Sequence, residues 1–377
     1  MKIAIVHEWL SAFGGSERLL AQLLRLFPHA DVFALTYFPA NFQNTELAQL
    51  RVQTTFMQKI PHIERHYRKL LPIMPFAIET LDVSEYDLVI SLSHAVAHGV
   101  KTHKQQSHIS YISTPMRYAW HMRDDYLKLH HLDKSIIRLA ANGTLSLLRR
   151  WDTCASVRSD SLIANSAWTA GHIRKAWARD SQVIYPAVDV DRFTPAADRG
   201  NFYLLVCRLV PYKLAAEIVK TFNILKLPLV IVGDGPDLQK IQRLAEANVR
   251  VMGYQPDAVV TELMNHAKAF VYMATEDFGI AMVEAQAAGC PVIAYGIGGA
   301  SEIVLDGETG LLFQEQTSHS LIEAVLQFQS MKLNSEAASI NAARFSSERF
   351  RSEFSAHMDS VTKASTRRVP SQGRQTE

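Results

Sequence analysis

Three cysteines in 377 residues, Cys154, Cys207 and Cys290, are too few and too scattered for a disulfide framework or a zinc site, so a reducing compartment is expected. No apolar run approaches the ~20 residues of a membrane span. Met1–Val6 is too short for a signal peptide and meets His7 and Glu8 at once, so it reads as a buried first strand. The chain has no repeat of solenoid length and no G-x-G-x-x-G of nicotinamide enzymes. It also lacks a compact Lys/Arg stripe with interleaved aromatics. These absences argue against a secreted scaffold, a membrane-spanning protein, a nicotinamide dehydrogenase and a nucleic-acid binder. A cytoplasmic location is expected.

What is present fits an enzyme with two or three domains. Hydrophobic residues make up 48% and charged residues 20%, enough for cores and a wetted surface. Net charge is only +2, but residues 1–186 carry 21 Lys and Arg against 15 Asp and Glu, while 187–377 carry 18 against 22. A basic first half suits an anionic membrane surface or a diphosphate-bearing acceptor, or it is a chance asymmetry of a mixed surface.

Short apolar runs alternate with longer helical patterns, which predicts an α/β chain with parallel sheets. In the first half the expected strands are Lys2–Val6, Asp31–Leu35, Tyr86–Leu92, His108–Ile112, Ser161–Ala164 and Gln182–Ile184. In the second half they are Phe202–Cys207, Leu229–Val232, Val249–Met252, Ala269–Tyr272 and Pro291–Ala294. Residues 186–200, rich in Pro, Asp and Gly, read as a linker between domains 1–185 and 201–345. A helical pattern covers 346–363, and the polar residues 364–377 read as a disordered tail.

The segment from Ala274 to Ala294 is the most telling. It reads as loop, helix, Gly289-Cys290-Pro291 stop and buried strand, framed by Glu276 and Glu284. A helix start near Gly279 presents free N–H groups and a partial positive charge just after a loop carboxylate, a place that can hold a phosphate. At ~1.5 Å rise per residue the two carboxylates lie on the order of 10 Å apart, a span that suits a sugar and a ribose at the ends of a diphosphate. Spacing alone equally allows an ordinary amphipathic helix with two solvated glutamates.

Glu276-Asp-Phe-Gly-Ile-Ala-Met-Val-Glu284-Ala-Gln-Ala-Ala-Gly-Cys-Pro-Val-Ile-Ala294 resembles the donor-site segment of glycosyltransferase family 4, retaining enzymes of the GT-B fold. Met1–Arg18, Tyr111–Trp120 and the second half are similar to a bacterial mannosyltransferase-like branch of it. The resemblance implies two Rossmann-like doubly wound domains facing a cleft, with the last helix crossing back to the first domain. It implies a nucleotide diphosphate sugar donor, with GDP-mannose favoured, and no other cofactor.

Carried over residue by residue, the resemblance assigns the donor diphosphate to Arg208 and Lys213, in Cys207-Arg-Leu-Val-Pro-Tyr-Lys213. Such a pair would stabilise the charge left on the β-phosphate when the glycosidic bond breaks. Glu276 would orient the sugar and Glu284 the ribose, with Phe278, Gly279, Ile280 and Ala281 offering N–H groups to the phosphates. Gly14 and Gly15, with Ser16 as helix cap, match a loop under the donor phosphates and acceptor. Gly233-Asp234-Gly235 matches a loop close to the nucleotide.

On the acceptor side, relatives commonly carry a His two residues before Pro115, where this chain has Ser113, which cannot titrate near neutral pH. His94 and His121 are possible substitutes, or structural residues. Arg117 is a candidate for an acceptor anion, and Asn165 either matches a family loop or, with Ser166, caps a helix. Asp189-Val-Asp191 has the spacing of a metal-binding D-x-D, but within Tyr185–Phe193 it resembles the family's interdomain sequence, so it reads as a turn and no metal is expected.

Ser135–Trp151 mixes Ile, Leu and Trp with Arg138, Arg149 and Arg150, a pattern that fits either peripheral contact with the inner membrane surface or packing on the core. The expected activity is transfer of a hexose to a saccharide or lipid-linked saccharide in cell-surface or exopolysaccharide synthesis. The competing readings are a sugar-nucleotide epimerase of the same two-lobed fold and a non-catalytic nucleotide-sugar-binding protein.

Overall fold

The computed structural model describes residues 1–124, 127, 135–196 and 198–368. They divide into two compact units, one of residues 1–185 with the chain from Arg351 onward, the other Pro186–Phe350. Each is a parallel sheet with helical connections, the arrangement that runs of Val, Ile, Leu and Ala buried on both faces demand.

The first unit holds β1 (Ile3–Leu10), β2 (Asp31–Tyr37), β3 (Val52–Thr54), β4 (Leu88–Ser93), β5 (Ser107–Ile112), β6 (Ser161–Ala164) and β7 (Gln182–Val183). Their order is β3-β2-β1-β4-β5-β6-β7, every pair parallel. The strand order reverses between β1 and β4, so the crevice for a ligand lies at their carboxyl ends.

The first strand is longer than the pattern predicts because His7 and Glu8 continue it, both wholly buried. Glu8 is tolerated there because the chain after β4 folds around it. Its Oε1 accepts from the backbone N–H of His94 at 2.9 Å, Val96 at 2.7 Å and Ala97 at 3.2 Å, and from Ser93 Oγ at 3.1 Å. The edge strand β3 was too short for a sequence signal.

A second buried carboxylate, Asp152, ties three segments together. It lies in the helix Ser135–Ser156 and its Oδ2 accepts from the indoles of Trp120 at 2.7 Å and Trp177 at 2.6 Å. His98 bridges the two acids, with Nδ1 3.0 Å from Ser93 Oγ and Nε2 3.4 Å from Asp152 Oδ1. Nε2 also lies 3.4 Å from the Asp152 carbonyl oxygen, which can only accept. Burial pushes the Asp152 carboxyl up to about 7.

The helix Ser135–Ser156 packs on this unit through Leu145, Leu148 and Trp151, while Leu139 and Leu147 are exposed. The Trp151 ring lies where any side chain at Gly99 would fall, 2.4 Å from a Cβ placed there. No helix among the described residues is long and apolar enough to cross a membrane.

The second unit holds β8 (Tyr203–Val206), β9 (Leu229–Val232), β10 (Val249–Val251), β11 (Ala269–Tyr272), β12 (Val292–Tyr295) and β13 (Gly310–Phe313). Their order is β10-β9-β8-β11-β12-β13, again all parallel, with the reversal between β8 and β11. The edge strand β13 was absent from the expected set.

Residues 186–200 are not a free linker. Val188 bridges to Ser346 and donates to the Phe345 carbonyl at 2.9 Å, and Arg199 donates to the carbonyls of Ala267 at 2.9 Å and Ala288 at 2.6 Å. These bonds bind the stretch into the second unit. Its Pro and Asp content marks a 3-10 turn, Val190–Arg192.

The last helix, Ser347–Arg368, outruns its expected end at 363, so 364–368 are helical rather than tail. Residues 369–377 lie outside the described residues. Within the first unit His357 is 2.8 Å from Ser161 Oγ, and Arg351 donates to Gln22 at 2.6 Å.

Five buried titratable groups of the first unit fix the sign of its pH dependence. Burial lowers His7 and His98 to about 4 and His108 to about 3, while it raises Asp152 and Glu17 to about 7. Below pH 6.5 the unfolded chain takes up three histidine protons that the fold refuses until about pH 4. The folded carboxyls hold two protons that the unfolded chain binds only near pH 4. These five groups give a net uptake on unfolding of about one proton, and His121, also lowered to about 4, adds to it, so stability should fall by at least about 1.4 kcal/mol per pH unit from about pH 6.5 towards pH 4.5. Asp152→Asn keeps an acceptor for both indoles but removes one opposing carboxyl, so its loss per pH unit should be steeper. Urea unfolding at pH 7, 6 and 5 measures both slopes; a flat or rising stability on acidification would contradict the neutral burial of these histidines.

Candidate functional site

In the second unit the loops after β8 and β11, the two strands at the reversal, bring three side chains together. Lys213 ends the turn Pro211–Lys213 after β8, Tyr272 ends β11, and Glu276 lies four residues further. Lys213 Nζ and Tyr272 Oη both donate to Glu276 Oε1. Burial and the Glu276 carboxylate push the Tyr272 phenol well above its ordinary range, so it acts as a fixed donor. Tyr272 was not a candidate, since from sequence it reads only as a buried strand residue.

Arg208, two residues beyond β8, is exposed, and its side chain makes no hydrogen bond or ion pair among the described residues. It is held in place by its backbone neighbours. Cys207 N donates to Val232 O at 3.1 Å and Leu209 N to Asp234 O at 2.9 Å. This backbone-on-backbone contact needs two glycines. A Cβ at Gly233 (φ +144°) would lie 1.8 Å from Cys207 O, and one at Gly235 (φ +155°) 2.3 Å from Leu209 O. Asp234 is exposed and accepts from Gly235 N at 2.7 Å.

The helix Ile280–Ala287 follows, with Gly279 at its N-cap in the left-handed region (φ 112°) and no side chain capping it. The amides of Ile280 and Ala281 open its first turn. Phe278 is buried against Phe345, at 5.5 Å between ring centroids. The loop that carries Glu276 and Phe278 is fixed by Gly298 and Gly299. Gly299 N donates to Glu276 O at 2.8 Å, and Cβ atoms at Gly298 and Gly299 would lie 2.4 Å from Glu276 O and 1.7 Å from Phe278 O. The run Gly296-Ile-Gly-Gly-Ala300 signals a turn, but nothing in it says which loop it supports.

Glu284 stands apart from Glu276. Its Oε1 accepts from Arg192 Nη2, and Arg192 also meets Asp257 at 3.2 Å. Arg192 is a second residue that sequence reasoning missed, and its position in the motif Asp189-Val-Asp191-Arg192-Phe193 was the available signal. Asp189 and Asp191 themselves are exposed, and no side chain caps the turn they begin. No group of three or more potential metal ligands occurs among the described residues.

In the first unit, Gly14 caps the helix Gly15–Leu26, and its N–H donates to Glu17 Oε2 at 3.0 Å. Ser16 is therefore not the cap, because the helix begins before it. His94, after β4, lies 3.3 Å from Glu8 Oε2 and packs edge-on to Trp9 at 4.7 Å. Its ring is thereby tied to the buried Glu8 cluster.

Ser113 follows β5, its N–H donating to Ser93 O at 2.8 Å. Asn165 is buried after β6 and accepts from Ser166 Oγ at 3.3 Å, while Ser166 caps the helix Ala167–Trp177 by accepting from Thr169 N at 3.0 Å. Arg117 is half-buried in the loop after β5. His121 stacks on His172 at 4.2 Å, and desolvation with the His172 and Arg117 charges lowers it to about 4. Ser113, His94, Asn165 and the Gly14 loop thus all stand at the carboxyl ends of first-unit strands.

The family profile described as Glycosyl transferases group 1 matches residues 189–345. The chain is 28% identical over 206 residues to an uncharacterized glycosyltransferase of Methanocaldococcus jannaschii, covering 53% of this chain and 57% of that protein. It is 32% identical over 174 residues to the GDP-mannose-dependent alpha-(1-6)-phosphatidylinositol monomannoside mannosyltransferase of Mycolicibacterium smegmatis, covering 37% and 44%. The matches thus span about half the length of these curated relatives.

Among solved structures, HepE of Anabaena in complex with UDP matches with a TM-score of 0.69 at 20% identity, over 96% of this chain and 100% of that one. Sucrose-phosphate synthase of Thermosynechococcus elongatus matches with a TM-score of 0.75 at 16% identity, over 97% and 100%. Residues 189–345 carry a Glycosyl transferases group 1 domain, and the two parallel-sheet units have the GT-B fold of these glycosyltransferases.

Proposed function

We propose that the protein is a retaining hexosyltransferase of family 4 that moves mannose from GDP-mannose to a saccharide or lipid-linked saccharide in cell-surface or exopolysaccharide synthesis. The observation that carries the reading is the convergence of Lys213, Tyr272 and Glu276 at the strand reversal of the second unit, beside the exposed Arg208. Donor binding exchanges the Lys213–Glu276 pair for two new contacts. Lys213 and Arg208 meet the diphosphate, and Glu276, still held by Tyr272, accepts from sugar hydroxyls. Glu284 likewise exchanges Arg192 for the ribose hydroxyls.

The sugar–phosphate C–O bond breaks with its electrons passing to the β-phosphate, where fixed cations stabilise them as they arrive. The acceptor hydroxyl bonds to the anomeric carbon on the same face, and its proton passes to the departing phosphate oxygen. Two side-chain cations serve the diphosphate in this scheme, so it uses no metal. Mannose and guanine are favoured by the name of the mycobacterial relative. A UDP-sugar is the competing donor, because HepE is found with UDP and with UDP-glucose. Peripheral attachment to the inner membrane would use the exposed Leu139 and Leu147 with Arg138 and Arg150.

A thermal-shift series with GDP-mannose, UDP-glucose and ADP-glucose tests the donor, since apparent stability rises with ligand concentration over dissociation constant. A response to UDP-glucose alone would replace GDP-mannose, and none to any of them would end the donor reading. Arg208→Ala and Lys213→Ala should each slow transfer roughly 100- to 1,000-fold, the usual cost of about 2.7–4 kcal/mol for one fixed donor at such a centre. Near-normal turnover in both would remove their assigned roles.

The two glutamates should fail differently. Glu284→Ala should weaken free GDP as much as donor, because the ribose keeps its bonds through the reaction. Glu276→Ala should lower kcat more than it weakens GDP, because the sugar ring flattens and gains positive charge in the transition state. Calorimetry with GDP and steady-state rates decide this. Loss of GDP affinity in Glu276→Ala alone would reverse the orientation of the donor.

A further inference from the structure

We propose that a pocket of about 280 Å³ in the first unit, floored by Trp120 and flanked by Arg149 and Lys175, binds a phosphorylated sugar group of the acceptor. It opens between the loop that follows β5, the last turns of the helix Ala167–Trp177 that follows β6, and the helix Ser135–Ser156. Its volume lies just below the roughly 300–1,000 Å³ range of ligand pockets, enough for one sugar ring and its phosphate.

Three features make it a formed site. The Trp120 ring is fixed because its indole N–H is held by Asp152 at 2.7 Å, so it lines the pocket as a rigid apolar wall. Arg149 is fixed at its Nε by the carbonyl of Ala119, with its guanidinium 5.5 Å above the Trp120 ring centroid. Its two terminal nitrogens remain on the planar edge that pairs with phosphate oxygens.

Lys175 stands exposed on the neighbouring helix and adds a second, mobile cation. No carboxylate lines the pocket among the described residues. His121 and His172, stacked at 4.2 Å, complete a wall of aromatic faces. His121 is neutral at neutral pH, and Arg149 and Lys175 offer positive charge to a ligand. Two cations over an aromatic floor select an anion joined to a flat-faced ring. A neutral glycan uses only the floor, and inorganic phosphate only the cations.

The inference deepens the proposed function, resting on the reading that the first unit receives the acceptor. Binding is measured by calorimetry and by quenching of tryptophan emission with no donor present. The probes are mannose 6-phosphate, methyl mannoside, inorganic phosphate, and phosphatidylcholine vesicles with and without phosphatidylinositol. Mannose 6-phosphate should bind more tightly than either methyl mannoside or phosphate. Arg149→Gln and Lys175→Gln should each weaken it roughly 10-fold or more while leaving methyl mannoside unchanged.

Lys175→Gln removes an exposed side chain and keeps the test valid if Arg149→Gln misfolds. Binding to phosphatidylinositol vesicles that both variants lose, with no binding of mannose 6-phosphate, would assign the site to a lipid headgroup. Equal binding of all sugars by wild type and variants would overturn the proposal. Lys213→Ala, altered only in the second unit, should bind mannose 6-phosphate normally. Failure of this pocket would therefore leave the donor reading standing, and failure of the donor reading would leave this binding intact.

Discussion

The second unit depends on one topological constraint, the reversal of strand order between β8 and β11. Parallel strands send their connections to opposite faces on the two sides of such a reversal, so the loops that leave their carboxyl ends diverge and open a crevice. Lys213 leaves β8 and Glu276 leaves β11, 63 residues apart in sequence, and they meet there. The glycines around them serve the same constraint. Gly233, Gly235, Gly298 and Gly299 let four loops lie backbone against backbone, where a single methyl group at any of them would meet a carbonyl oxygen. The placement of the charged side chains is thus inherited from close contact between main chains.

The first unit solves a different problem with the same topology. It buries the acids Glu8, Glu17 and Asp152, and the first and last of these lie within its core. Each of those two is held by donors from other segments: the amides of 94–97 around Glu8, and the indoles of Trp120 and Trp177 around Asp152. Together with Ser93 and His98 they join the first strand, the loop after β4, the loop after β5 and two helices into one polar network. A network of this kind is sensitive to every member, because removing one leaves a buried charge or donor unmatched. It also fixes Trp120, the face on which the acceptor pocket is built.

Charge is distributed between the units in keeping with this. The second unit neutralises its own acids and bases in pairs, Lys213 with Glu276 and Arg192 with Glu284, while Arg208 stands unpaired among the described residues. Such pairs keep a polar crevice stable, and a ligand that brings both phosphates and hydroxyls can replace each partner with one of its own groups. In the first unit, burial keeps His7, His98 and His108 neutral, so these three are structural.

Sequence alone determined what depends on local pattern. Period, Gly and Pro punctuation gave eleven of the thirteen strands to within a few residues, and the segment Glu276–Ala294 named the donor-site candidates through its resemblance. The two missing strands, β3 and β13, are short and lie at sheet edges, where few neighbours shape their composition. Only the tertiary structure decided who touches whom. Tyr272 and Arg192 became site residues because folding placed them against Glu276 and Glu284, contacts with no signature at 4 or 92 residues' separation. His7 and Glu8 looked like the polar end of a strand, yet they are buried within it, because the amides that satisfy Glu8 come from residues 94–97. The polarity of a residue is written in the chain; whether it is solvated, paired or buried depends on partners that only long-range folding supplies.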